Sequence, residues 1–156
     1  MKAVSVKEIK QELNTLSHKE VQDICLRLSR FKKENKELLT YLLFESHNEA
    51  GYIESVKGYI DEEFEIINRD SYYYIRKSVR KILRNIKKYV RYSQKKETEV
   101  ELLLYFCEKL KDFTPSINRS TQLQNMYNRQ LLLAKKHIST LHEDLQYDFN
   151  TLIEDF

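Results

Sequence analysis

Two glycines and one proline in 156 residues constrain this chain more than any other feature of its sequence. Average usage would place roughly eleven glycines and eight prolines in a chain of this length. Glycine supplies the unusual dihedrals of tight turns and proline ends helices, so their scarcity means few turns and long uninterrupted elements. An all-β fold needs a turn signal about every 8–12 residues and is excluded. The length suits a single domain, 1–156, able to bury roughly 70% of its unfolded surface without a disulfide or a metal.

Hydrophobic periodicity then places the helices. Ser5-Val6-Lys7-Glu8 and Ser17-His18-Lys19-Glu20 are S-x-x-E capping boxes, in which serine and glutamate satisfy the first free backbone N–H groups reciprocally. They predict a helix over 5–16 with Val6, Ile9, Leu13 and Leu16 inward. A second, over 18–31, carries Val21, Ile24, Cys25, Leu28 and Phe31 on one face. A third, over 35–47, bears Leu38, Leu39, Tyr41, Leu42, Leu43 and Phe44; being apolar nearly all round, it is expected at the centre. A fourth, over 49–68, holds the echo Gly51-Tyr52-Ile53 and Gly58-Tyr59-Ile60, whose glycines share a face and suggest close approach of a neighbouring helix.

Asn68-Arg69-Asp70-Ser71 marks a break, with Asp70 or Ser71 as cap. The fifth helix runs to about Tyr92 with Ile75, Val79, Ile82, Leu83, Ile86, Tyr89 and Val90 inward, and a sixth, over 95–112, buries Val100, Leu103, Leu104, Cys107 and Leu110. Thr114-Pro115 reads as a cap followed by proline in the first helical position. Beyond it, Tyr127, Leu131, Ala134, Ile138, Leu141, Leu145, Phe149, Leu152 and Phe156 recur at nearly heptad spacing, slipped once at Asp148, and predict one long helix over 121–156. The expectation is an all-α fold of about seven helices. Antiparallel hairpins, stacked as a HEAT-like α-solenoid or an irregular bundle, form a core over 1–113, followed by the Pro-capped loop and long C-terminal helix of 114–156.

Charge is distributed unevenly. Residues 70–96 carry ten basic side chains against one acidic, while 49–69 and 97–156 are net acidic. Along the fifth helix Arg76, Lys77, Arg80, Lys81, Arg84, Lys87, Lys88 and Arg91 recur opposite the apolar face, with Lys95 and Lys96 extending the run. Such a stripe can follow the phosphates of a nucleic acid or meet an acidic partner. Tyr72, Tyr73, Tyr74, Tyr89 and Tyr92 flank it and either pack at its rim or stack on unpaired bases. The alternative is internal neutralisation, by Asp61, Glu62, Glu63 and Glu65 at Arg76, Lys77 and Arg80, and by Glu97, Glu99 and Glu101 at Lys87, Lys88 and Arg91. Arg76, Arg80, Arg84, Lys87, Lys88 and Arg91 are thus the candidate polyanion-binding or partner-binding residues. Tyr127, Leu131, Ile138, Leu141, Leu145, Phe149 and Leu152 are the candidate stripe for a protein partner or a second copy.

Catalytic motifs are missing. His18, His47, His137 and His142 form no HExxH or ExxH arrangement, there is no CxxC, no GxSxG and no glycine-rich phosphate loop. Neither a metal nor another cofactor is expected. Cys25 and Cys107, each among apolar residues, are expected to be buried free thiols. The N-terminus lacks the apolar stretch of a signal peptide and no run approaches the roughly 20 apolar residues of a membrane span, so the chain is expected to be soluble and cytoplasmic. The expected function is a non-catalytic scaffold for protein–protein interaction, with nucleic-acid binding through the basic helix 76–96 as the alternative.

Overall fold

The computed structural model describes residues 1–156 as eight α-helices with no strand. They are α1 (Val6–Leu13), α2 (His18–Phe31), α3 (Lys33–Thr40), α4 (Glu49–Glu65), α5 (Tyr72–Ser93), α6 (Lys96–Lys111), α7 (Thr121–Ile138) and α8 (Glu143–Glu154). A π-helical turn, Tyr41–Glu45, follows α3, and a 3-10 turn, Ile117–Arg119, precedes α7. The chain divides into two compact units, Met1–Phe44 and Glu45–Phe156.

Both capping boxes form in the first unit. Ser5 Oγ accepts from Glu8 N–H while Glu8 Oε2 takes Ser5 N–H at 2.8 Å, and Ser17 and Glu20 repeat the exchange at 2.7 Å. Helices α2 and α3 pack together, and Asn35 Nδ2 donates to Leu28 O at 2.8 Å. The predicted inward faces are otherwise not enclosed. Val6, Ile9, Ile24, Leu28 and Phe31 are exposed, and α1, α2 and α3 contain no buried residue. Helical spacing identifies an apolar face but not what covers it, and a unit of 44 residues is too small to close a core of its own. For the same reason Cys25, expected to be buried, is exposed. The third helix is not central either. Leu42, Leu43 and Phe44 are 54–67% exposed, and Tyr41 alone of that run is buried.

In the second unit α6 takes the central place. Thr98, Val100, Leu102, Leu103, Leu104, Phe106, Cys107 and Leu110 are all buried around its circumference, and it packs against α4, α5 and α7. Burial pushes the pKa of the Cys107 thiol up to about 12. Side-chain bonds give the helix directions. Tyr52 OH donates to Tyr89 O and Asn85 Nδ2 to Tyr59 OH, so α4 and α5 are antiparallel. Lys57 meets Glu101 and Tyr105 meets Asp61, so α4 and α6 run parallel. Cys107 approaches Tyr127 O and Glu99 approaches His137, so α6 and α7 are antiparallel. The unit therefore consists of two hairpins, α4/α5 and α6/α7, with α8 packed on α7.

Three further expectations are corrected. The segment 121–156 is two helices, not one. Ser139 and Thr140 turn their hydroxyls onto the carbonyls of Lys136 and His137, and His142 Nδ1 caps α8 by accepting from Asp144 N–H. This split brings the count to eight rather than seven. Pro115 does not start a helix; the Thr114–Pro115 peptide is cis and lies in the bend before the 3-10 turn. The glycine face of α4 admits no close helix at Gly58, where an added Cβ would touch nothing within 4 Å, and the atoms nearest a Cβ at Gly51 belong to the capping side chain of Asn48.

Candidate nucleic-acid interface

The aliphatic core face of helix α5 is built as its sequence predicts, though Tyr89 is half-buried and the Ser71 side chain makes no cap bond. Ile75, Val79, Ile82, Leu83, Ile86 and Val90 are buried at spacings of three and four, and no acidic residue lies between Tyr72 and Ser93. With one face committed to the core, the remaining positions must point outward. Tyr73, Lys77, Arg80, Arg84, Lys87 and Arg91 follow one another at spacings of 4, 3, 4, 3 and 4 and are all exposed. Arg76, half-buried, flanks the row between Tyr73 and Arg80. From Arg76 to Arg91 the row is about 22 Å long at the α-helical rise.

The neutralisation expected from the flanking helices does not occur along this row. No carboxylate lies within ion-pairing distance of Arg76, Lys77, Arg80, Arg84, Lys87 or Arg91. Several acidic groups of α4 and α6 are engaged elsewhere, while Glu62, Glu65 and Glu97 are exposed and pair with no cation of the row. Asp61 holds Lys109 Nζ at 2.6 Å and Tyr105 OH at 2.8 Å. Glu101 holds Lys57 at 2.7 Å, and Glu99 pairs with Lys96 at 3.1 Å and with His137 at 3.3 Å. Glu49, mostly buried, takes Lys95 at 3.2 Å and accepts from Ser93 Oγ and Thr98 Oγ1. Of the pairs expected between α4 and α5, only a neighbour of that kind forms, Lys81 with Glu63 at 3.0 Å. Burial raises the Asp61 carboxyl, but the hydrogen bonds from Lys109 and Tyr105 outweigh it and hold it below the ordinary range. On Lys81 the hydrogen bond and charge of Glu63 raise the ammonium's pKa.

Geometry explains this sorting. Helices α4 and α6 run parallel and side by side, so Asp61 and Glu101 face Lys109 and Lys57 across that contact and not the outer face of α5. Ten cations in residues 70–96 are thereby reduced to a smaller set that stays open, while Lys81, Lys95 and Lys96 are taken up by carboxylates. Lys88, one of the candidate residues, is half-buried with its ammonium 5.2 Å from the centre of the Tyr89 ring.

A groove of about 830 Å³ runs along the first half of this face. Tyr73, Tyr74, Arg76, Lys77, Arg80 and Arg84 line it, with Asn68 from the loop before α5 and Gln122 from the first turn of α7 closing its edges. The sequence carries no signal for Gln122, because the packing of a distant element, α7, brings it there. The flanking tyrosines divide into two kinds. Tyr72 OH donates to Ser116 O at 2.7 Å, and Tyr89 makes edge contacts with Tyr59 and Tyr92, so these serve the fold. Tyr73 and Tyr74 are 62% and 46% exposed and contact each other edge to face, 5.4 Å between centres.

The other predicted stripe is largely used inside the unit. Ile138 is buried, and Tyr127, Leu131, Leu141, Leu145 and Phe149 are half-buried; of the seven residues only Leu152 is exposed. The break at 139–142 also divides the stripe between α7 and α8. No helix is long and apolar enough to cross a membrane. The chain matches no protein-family model, no curated protein and no solved structure.

Proposed function

We propose that this chain is a non-catalytic helical module that binds nucleic acid through the outer face of α5. One observation carries the reading: Lys77, Arg80, Arg84, Lys87 and Arg91 form an exposed row, and no acidic side chain of the adjoining helices pairs with any of them, Asp61, Glu63 and Glu101 holding other cations. A row of like charges left open costs self-repulsion, which a polyanion relieves while releasing its own counterions. The succession of hairpins α4/α5 and α6/α7 is compatible with a solenoid-like stack, an architecture that offers long helix faces to extended ligands.

Fluorescence anisotropy with labelled DNA and RNA oligonucleotides tests this. Binding should weaken steeply as salt rises from about 50 to 200 mM, and changing Arg80, Arg84, Lys87 and Arg91 together to Glu should abolish it while helicity stays intact. Failure of every DNA and RNA probe to give a salt-sensitive shift at low ionic strength ends the proposal.

A second reading, a scaffold for protein–protein contact, draws on a different observation. Val6, Leu28, Phe31, Leu42, Leu43 and Phe44 in the first unit are each more than half exposed. Apolar surface of this kind favours self-association. It replaces the C-terminal stripe as the basis for that reading.

A further inference from the structure

Resting on the nucleic-acid reading of α5, we infer that the groove at its first half selects single strands, with Tyr73 and Tyr74 as stacking platforms beside the phosphate-binding row. Three observations converge there. The two rings are the exposed members of the tyrosine run, and neither hydroxyl is bonded within the protein, whereas Tyr72 is anchored to Ser116. Tyr73 stands on the same helical row as Lys77, Arg80 and Arg84, one turn before the first of them, so a strand laid along the cations is delivered to the ring. The same groove is lined by two side-chain amides: Gln122, able to donate and accept at the edges of unpaired bases, and Asn68, whose Oδ1 takes the Asp70 N–H and whose Nδ2 can donate.

The chemistry distinguishes strand types. In a duplex the faces of the bases are hidden in the stack, so protruding tyrosines gain little from it. In a single strand every base offers a π-face, and stacking on an aromatic ring tolerates any sequence. Charge alone works in the opposite sense, since duplex DNA is the denser polyanion and releases more counterions for each phosphate neutralised. A preference for single strands therefore cannot come from the basic row and reports on the rings.

The test compares labelled oligothymidylate, oligouridylate and a mixed-sequence DNA duplex, each of roughly 16 nucleotides per strand, by anisotropy on the full chain. Both single strands should bind more tightly than the duplex. The double variant Tyr73→Ala/Tyr74→Ala should weaken single-strand binding roughly tenfold or more and leave duplex binding unchanged, and Tyr73→Phe/Tyr74→Phe should restore it. Far-ultraviolet circular dichroism confirms that each variant keeps its helices. Equal or stronger binding of the duplex, or single-strand binding indifferent to the alanine pair, overturns the inference and leaves the basic row as a plain polyanion site. Loss of all three probes overturns both readings.

Discussion

At Gly58 an added methyl group would meet nothing within 4 Å, and the residue sits exposed in the middle of α4. Its backbone freedom is lost on folding and no packing at that position offsets the loss, so Gly58→Ala should raise stability by about 0.5–1 kcal/mol, read from the midpoint of urea unfolding. Gln94 is the reverse case. It ends α5 in the left-handed region at φ 59°, where glycine has no steric cost, and its N–H closes on Val90 O. Gln94→Gly should therefore also stabilise, and destabilisation by both changes would contradict this account. Sequence reasoning saw the shared face of Gly51 and Gly58 but not that the face was empty. Residue spacing defines a direction around a helix and not the distance to the next one.

Among the elements, α5 was the most legible and the C-terminal segment the least. The core stripe of α5 and the cationic row opposite it are two faces of one period, and both survive folding because nothing interrupts the helix for 22 residues. In the C-terminal segment the same kind of period continues across 139–142, where serine and threonine hydroxyls compete for backbone carbonyls and end α7. An apolar spacing can bridge a break because a short turn can return the next helix to the same side. The capping boxes of α1 and α2 were legible because the motif is local. They make a pH prediction. Hydrogen bonds from the Ser5 side chain and backbone hold the Glu8 carboxyl below its ordinary range, and those from the Ser17 backbone and side chain do the same for Glu20. With lowered carboxyl values, the contribution of the boxes is complete above the ordinary carboxylate range of about 4 and is lost as pH falls through the lowered values. Helicity followed by circular dichroism from about pH 7 to pH 3 should drop, and the Ser5→Ala/Ser17→Ala variant should begin lower and lose less. An unchanged acid profile in that variant would remove the boxes from the explanation.

For the whole molecule, the two compact units differ in how they are held. The second has a central helix buried over most of its circumference, aromatic contacts of Phe64 with Phe106 and Phe113, and polar groups tied between helices. In the first, α1 and α2 are well capped but many apolar residues are open, including Phe31 at 76% exposure. If that face takes a second copy, light scattering behind size exclusion should give a mass that rises with concentration. Phe31→Ser/Phe44→Ser should then return the chain to a monomer without loss of helicity. A strict monomer at high concentration removes the self-associating form of the scaffold reading.

Helical class, the capping boxes of α1 and α2 and the identity of the charged row follow from the sequence alone, because each depends on residues within one or two turns of each other. Tertiary structure decided which helix became the centre, which apolar faces were enclosed and which cations kept their charge open. Those outcomes depend on which helices lie side by side: the parallel contact of α4 with α6 drew Asp61 and Glu101 away from α5, and no local pattern encodes that contact.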